Sequence, residues 1–228
     1  RLALKLRGGD EVVAIWSRKG QRAVFTGETL SDISEAVAKD MRAWLGEGPH
    51  TVILALPSGI DFIWTMLGAI IADVTIVPVP LPRMGALSDR FQQIVNDSGA
   101  SAIFCLPKHE VLLNSVLPAG RAAPCQVVPL PLPSARDIPA AVSADRDTQL
   151  PALIQYTSGS TRAPKGVKVM GRNILANSDL VQRSWGLGPK ARVVNWLPHY
   201  HDMGLMGGIL YPLLAGGFSA QIDPLDFI

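Results

Sequence analysis

A short run of hydroxyl, glycine and lysine side chains follows a hydrophobic segment in the C-terminal half of the sequence. The run reads Tyr156-Thr157-Ser158-Gly159-Ser160-Thr161-Arg162-Ala163-Pro164-Lys165-Gly166. Glycine allows backbone N–H groups to converge on an anion, hydroxyls donate further hydrogen bonds, and lysine adds a positive charge. The sequence therefore predicts a phosphate-binding loop made of Thr157, Ser158, Gly159, Ser160, Thr161, Lys165 and Gly166.

Two familiar glycine loops do not match this run. The Walker A spacing G-x-x-x-x-G-K-[ST] fails because Pro164 precedes Lys165 and Gly166 follows it. The nucleophile-elbow pattern G-x-S-x-G is absent as well. The remaining alternative is a solvated Ser/Thr/Gly turn without a ligand, which composition alone would favour. The ordered run directly after a strand favours the phosphate loop.

A second segment places two histidines and an aspartate before a glycine-rich apolar run. His199 and His201 are two residues apart and could face one metal from a strand, but no third ligand or cysteine is near in sequence. Either histidine could instead cap the next helix, where Asp202 is a suitable N-cap. The run from Met203 to Gly208 would make the start of that helix slim and apolar. Such a helix could admit an alkyl chain, or it could simply pack tightly.

Alternating strands and helices must position these two segments. Hydrophobic runs predict strands at 11–16, 22–25, 51–56, 75–79, 101–106, 126–128, 152–156, 167–170, 192–196 and 218–222. Helical spacing predicts helices at 29–45, 62–72, 90–96, 173–185 and 203–214, with Thr29 as the first cap, Asp32 as its partner and Gly46 as the end. The β-α-β order predicts an α/β fold with parallel sheets covered by helices.

A proline-rich stretch divides the two series of strands and helices. Prolines recur between residues 118 and 151, which predicts a linker. We therefore expect a first β/α subdomain at 1–117, a linker at 118–151, and the start of a second β/α subdomain at 152–228.

Composition excludes several classes of protein. The 228 residues are 48% hydrophobic and 18% charged, which argues against disorder. A net charge of +2 gives no reason to expect a nucleic-acid partner. The two cysteines form no CxxC pair, which suits the reducing cytoplasm. The most apolar stretch, 62–72, is shorter than the about 20 residues that span a bilayer.

Both segments resemble motifs of the adenylate-forming enzymes. The run from Thr157 to Thr161 with Pro164-Lys165-Gly166 resembles the signature loop of acyl-CoA synthetases, luciferases and peptide-synthetase adenylation domains. The segment Trp196-Leu197-Pro198-His199-Tyr200-His201-Asp202-Met203-Gly204-Leu205 is similar to a motif of the fatty acyl-AMP ligases. Upstream, Leu56-Pro57-Ser58-Gly59-Ile60-Asp61-Phe62 and Val77-Pro78-Val79-Pro80 resemble that family's first subdomain.

The resemblance implies a reaction and a set of partners. It implies that ATP, with Mg²⁺, and a fatty acid form an acyl-adenylate, and that an acyl carrier protein of a polyketide or lipopeptide assembly line accepts the acyl group. The loop would chiefly hold the β- and γ-phosphates. The acyl and adenylate pocket would include His201, Asp202, Met203, Gly204 and Gly207. The family's ribose-binding aspartate, magnesium-associated glutamate, hinge and catalytic lysine would all follow Ile228, so we expect this chain alone to be inactive.

Two departures from the family pattern keep rival functions open. Arg162 stands where glycine is usual, and Met170-Gly171 replaces Ser-His before Arg172-Asn173. A fatty acyl-CoA synthetase shares the loop, whereas the Tyr200-His201-Asp202-Met203 string favours the AMP ligase. A non-catalytic module that binds a lipid or a partner is the third possibility.

Overall fold

The computed structural model describes residues 7–20, 22–82, 86–117, 125–131, 150–157 and 164–227. It has the α/β fold that the sequence predicts, with two sheets whose strands are mostly parallel. The chain forms two compact units. The first, here called the four-stranded unit, contains Arg1–Ala36, Ser58–Thr65 and Gly171–Ile228, and the second, the six-stranded unit, contains Val37–Pro57 and Met66–Met170. Each unit combines separate segments of the chain. The predicted division at residues 117 and 152 instead separates consecutive segments.

The six-stranded unit contains the strands on either side of the proline-rich stretch. These strands are β3 (Thr51–Ala55), β4 (Thr75–Pro78), β5 (Ala102–Cys105), β6 (Gln126–Pro129), β7 (Leu153–Thr157) and β8 (Lys165–Val169). Their order is β6-β5-β3-β4-β7-β8, and only β8 runs antiparallel to its neighbour. The strand that precedes the candidate phosphate loop is thus an inner strand of this sheet.

The core of the six-stranded unit explains why its strands are continuous hydrophobic runs in the sequence. Every residue of β4 and β5 is buried, as expected for parallel strands covered on both faces. On one face, α3 (Ala86–Ser98) contributes Phe91 and Ile94, and α4 (Glu110–Val116) contributes Leu113 to one cluster with strand residues. Burying side chains of this size stabilises the fold by about 1.5–3 kcal/mol each.

The four-stranded unit pairs the two ends of the chain. Its sheet has the order β2-β1-β10-β9, formed by β2 (Arg22–Thr26), β1 (Glu11–Trp16), β10 (Phe218–Ile222) and β9 (Arg192–Asn195). β1 and β9 are parallel to β10, and β2 is antiparallel to β1. This unit also contains α5 (Gly171–Trp185), a π-helix (Met203–Leu210), α6 (Tyr211–Leu214) and α7 (Pro224–Phe227).

Two helical predictions differ from the structure, and the structure has helical elements that were not predicted. Helix α1 (Gly27–Leu45) begins before Thr29, and Thr26 is its cap because its Oγ1 accepts a hydrogen bond from Thr29 N at 3.1 Å. α4 and a preceding 3₁₀ turn at Pro107–His109 were not predicted. The helix predicted at 203–214 is a π-helix followed by one α-helical turn.

The remaining predicted elements lie within a few residues of those observed. The predicted buried helix at 62–72 is α2 (Ile60–Ile71), and Gly46 ends α1 with φ of 79°. No helix in the described part of the chain is long and apolar enough to cross a membrane.

Candidate functional site

The candidate phosphate loop connects the two strands of a β-hairpin. β7 and β8 are antiparallel, and the Cα atom of Thr157 lies opposite that of Lys165. Both residues are exposed. Ser158, Gly159, Ser160 and Thr161 lie outside the described residues. The hairpin therefore places one hydroxyl and one cation as partners at the base of the loop, where both are accessible to an anion.

A hydrogen bond and a close contact fix the base of this hairpin. The hydroxyl of Tyr156 donates to Oδ2 of Asp97 on α3 at 2.6 Å. Burial, together with that bond and the Asp97 charge, raises the pKa of Tyr156, so it stays protonated as a donor. Gly166 lies across from Tyr156, and a Cβ atom there would come within 2.8 Å of Ile154 Cγ2 and 3.0 Å of the Tyr156 ring. Only glycine lets β8 approach this closely.

The histidines of the second segment occupy different environments. His199 is buried, its Nδ1 lies 2.8 Å from Ser58 Oγ, and its ring centroid lies 4.1 Å from that of Phe62. His201 is exposed. No group of three or more His, Cys, Asp or Glu side chains that could hold a metal occurs among the described residues. The two histidines thus have separate environments, and His199 is fixed by the loop after β3.

Asp202 begins the helix that carries the apolar, glycine-rich run. Its carboxylate accepts a hydrogen bond from Met203 N at 2.7 Å, which confirms the predicted N-cap. The following eight residues form a π-helix, in which Tyr211 N donates to Met206 O five residues earlier. π-helical turns are rare and often lie at functional sites.

The glycines of the π-helix serve different purposes. A Cβ atom at Gly204 would lie 2.1 Å from Pro198 O, and one at Gly208 would lie 2.2 Å from Asn195 Nδ2. Close backbone packing therefore requires both. A Cβ atom at Gly207 would meet only Met203 Cε, at 3.8 Å, and Met203 is 54% exposed. The π-helix thus combines tight packing at two glycines with an ordinary contact at the third.

The structure places the predicted site residues in two groups. Thr157, Lys165 and Gly166 share the hairpin of the six-stranded unit, and His201, Asp202, Met203, Gly204 and Gly207 share one segment of the four-stranded unit. Sequence reasoning missed the partners Asp97 and Ser58. Ser58 offered a signal, since it lies in the Pro57-Ser58-Gly59 turn directly after a buried strand, whereas Asp97 has the appearance of an ordinary surface residue of α3.

The family match covers the hairpin and the helix just described. Residues 5–226 match the model of the AMP-binding enzymes. The chain belongs to the AMP-binding enzyme family. This AMP-binding chain is 33% identical over 205 residues to a 4-hydroxyphenylalkanoate adenylyltransferase of Mycobacterium marinum, with 86% of this chain and 32% of the relative covered. It is 34% identical over 200 residues to the long-chain-fatty-acid–AMP ligase FadD23 of Mycobacterium tuberculosis, with 84% and 34% covered.

A solved structure shares the fold of this AMP-binding chain. The fatty acyl-adenylate ligase of L. pneumophila, solved with acyl adenylate and pyrophosphate, aligns with a TM-score of 0.80 and 27% identity. That alignment covers 99% of this chain and 39% of the other. The chain thus spans about a third of the length of the curated relatives it matches.

Proposed function

We propose that this chain binds the phosphates of ATP and a fatty acid as part of an enzyme that makes acyl-adenylates and passes the acyl group to an acyl carrier protein. The observation that carries the proposal is the hairpin with Thr157 opposite Lys165 in a member of the AMP-binding family. The two relatives support adenylate formation, since one is described as an adenylyltransferase and the other as a fatty-acid–AMP ligase.

The proposed reaction suits a site built from cations and hydrogen-bond donors. A carboxylate oxygen of the fatty acid attacks the α-phosphorus of ATP, an oxygen–phosphorus bond forms, and the bond between the α-phosphorus and the pyrophosphate oxygen breaks. The carboxylate is already ionised at neutral pH, so no general base is required. The barrier lies in bringing an anion up to a polyphosphate, and preorganised positive charge lowers it.

The described residues supply part of that charge. Lys165 presents an ammonium group at the base of the loop, and its partner Thr157 presents a hydroxyl. Mg²⁺ enters the proposal as the ion that ATP carries on its phosphates.

The proposed binding of the fatty acid rests on the π-helix. From Met203 to Leu210 it contains no charged residue, so it offers no partner to a polar substrate tail. A Cβ atom at Gly207 would contact only the end of the flexible side chain of Met203, so a larger group could be accommodated there if that side chain moves. An alkyl chain fits this chemistry, because methylene groups gain about 0.8 kcal/mol each when they leave water.

Two lysines of β8 provide a test with an internal control. Lys165→Ala removes the cation opposite Thr157, whereas Lys168→Ala removes an equally exposed cation that lies opposite Ile154. Losing one charge-assisted contact costs about 1.5–3 kcal/mol, or roughly tenfold to a hundredfold. We expect ATP–pyrophosphate exchange by the full natural protein to fall by that factor in Lys165→Ala and in Thr161→Ala, and to change little in Lys168→Ala. Unchanged exchange in both loop variants would refute the phosphate-loop assignment.

A further inference from the structure

Three buried polar side chains lie beneath the π-helix. Asn195 on β9 is 5% exposed, and Ser219 and Gln221 on β10 are 0% and 6% exposed. Ser219 and Gln221 share one face of β10, because side chains alternate along a strand. Buried polar groups destabilise a core unless they are hydrogen-bonded, so each of the three needs a partner.

These side chains bond to the backbone of the π-helix and to one another. Ser219 Oγ donates to Gly208 O at 2.7 Å, and Gln221 Nε2 donates to the same oxygen at 2.8 Å. Gln221 Nε2 also lies 2.6 Å from Ser219 Oγ, and Gln221 Oε1 accepts from Asn195 Nδ2 at 2.8 Å. Asn195 Nδ2 further donates to Gly204 O at 3.4 Å. The network thus contacts two carbonyl groups one helical turn apart.

One backbone donor that could serve the Gly208 carbonyl is missing from the sequence of the helix. In an α-helix that carbonyl would accept from the residue four positions later, which is Pro212, and proline has no N–H group. Ser219 and Gln221 donate to this carbonyl instead. Gly208 permits the contact, since a Cβ atom at that position would lie 2.2 Å from Asn195 Nδ2.

The same network also reaches the segment before the helix. Asn195 Oδ1 accepts from Leu197 N at 3.1 Å, at the start of the chain segment that leads through His199 to Asp202. The polar network therefore holds in place both the segment before the π-helix and the middle of the helix. Fully satisfied buried networks of this kind hold one arrangement of the backbone in preference to others.

We propose that Asn195, Ser219 and Gln221 are positioning residues that set the place of the π-helix, and through it the chain-length preference for the acid substrate. The inference rests on the proposed function of that helix as the acid side of the site. Gly207, the glycine whose Cβ would meet only the end of the Met203 side chain, lies one residue from the carbonyl that the network holds. A shift of that carbonyl moves Gly207 and Met203 with it.

Two substitutions with a matched control test the proposal in the full natural protein. Gln221→Met removes two donors and an acceptor at similar volume, and Ser219→Ala removes one donor and the acceptor for Gln221 Nε2. Ser34→Ala is the control, because Ser34 is also fully buried in the same unit and donates to a helix carbonyl, Leu30 O, at 2.6 Å. The measurements are KM for ATP, KM for acids of several chain lengths, and amide hydrogen exchange of residues 203–213.

We expect both network variants to speed amide hydrogen exchange in residues 203–213. They should raise KM for the preferred acid by about fivefold or more and leave KM for ATP within about twofold of the wild-type value. The preferred chain length should also change, whereas Ser34→Ala should leave all of these values near those of the wild type. Unchanged exchange in 203–213 would overturn the positioning role. Faster exchange with an unchanged chain-length profile would overturn the link to the acid. A wild-type protein that adenylates no acid would instead refute the proposed function, and hydrogen exchange would still decide whether the network positions the helix.

Discussion

Tyr156 is the side chain that fastens the loop-bearing hairpin to helix α3. Its ring packs against Gly166 on the neighbouring strand, and its hydroxyl reaches the exposed carboxylate of Asp97. The residue as a whole is 8% exposed, so most of its ring is buried. A phosphate loop needs such an anchor, because its donors act on an anion only when they are held in place.

The first prediction concerns this hydrogen bond. Tyr156→Phe keeps the ring and removes the donor, and should lower the free energy of unfolding by about 1 kcal/mol, a modest value because Asp97 is exposed to water. Urea denaturation of Tyr156→Phe, Asp97→Asn and the double variant measures the coupling between the two residues. Strictly additive effects would show that the bond contributes nothing.

At the scale of elements, the π-helix is the part of the candidate site with the most specific local chemistry. Asp202 caps it, Pro212 removes one of the donors that an α-helix would use, and Gly204 and Gly208 let its backbone approach its neighbours. Of the three glycines, Gly207 is the one where a Cβ atom would make only an ordinary contact, with Met203 Cε at 3.8 Å.

The second prediction concerns this position. Gly207→Trp should place a large ring there and lower kcat/KM for long acids by about tenfold or more relative to short acids. Gly207→Ala is the control, because its Cβ atom would make only an ordinary contact with Met203 Cε at 3.8 Å. Equal losses for all chain lengths would indicate that the position serves packing instead.

The sequence predicted elements well where local patterns decide them. The hydrophobic runs of β3, β4 and β5 and the apolar stretch of α2 are recognisable without tertiary information. The cap at Thr26 was missed because the two threonines Thr26 and Thr29 are both suitable caps, and the strand end decides between them. The π-helix was missed because its apolar spacing over eight residues does not differ from that of an α-helix.

The order of the elements along the sequence does not predict which distant strands pair with each other. β7 pairs with β4, from which it is separated by the proline-rich stretch, and β1 pairs with β10 near the opposite end of the chain. Nothing in Leu153–Thr157 or Phe218–Ile222 specifies these neighbours, since a buried parallel strand is hydrophobic whichever strand lies beside it. The site partners Asp97 and Ser58 depend on such pairings, and this is why they were found only in the structure.

At the scale of the whole molecule, a buried cysteine thiol and two buried tyrosine hydroxyls make stability depend on pH. Burial, with a smaller contribution from Glu110, raises the pKa of Cys105 from 9.0 to about 11, and burial also raises the pKa of Tyr156 and Tyr211. Above pH 9 the unfolded chain releases a thiol proton that the folded chain retains. Stability is therefore fully present below that pH and falls as the pH rises.

The third prediction follows from this fall of stability with rising pH. The free energy of unfolding, measured with urea, should show no loss from Cys105 between pH 7 and about 8.5 and should decline from about pH 9 to 11. Cys105→Ala removes the thiol and should reduce the slope of that decline. A free energy of unfolding that stayed constant or rose across the alkaline range would contradict the assignment.

The proposed function makes this chain part of an enzyme that joins AMP to a fatty acid. The most direct measurement is to incubate the full natural protein with ATP, Mg²⁺ and fatty acids of several lengths, and to identify the products by mass. A phosphopantetheinylated carrier protein and free coenzyme A are then offered as acceptors side by side. We expect pyrophosphate and acyl-adenylate to form, and the carrier thiol to accept the acyl group far better than coenzyme A. Efficient acyl-CoA formation would place the protein among the synthetases, and the absence of an adenylate with every acid would contradict the account.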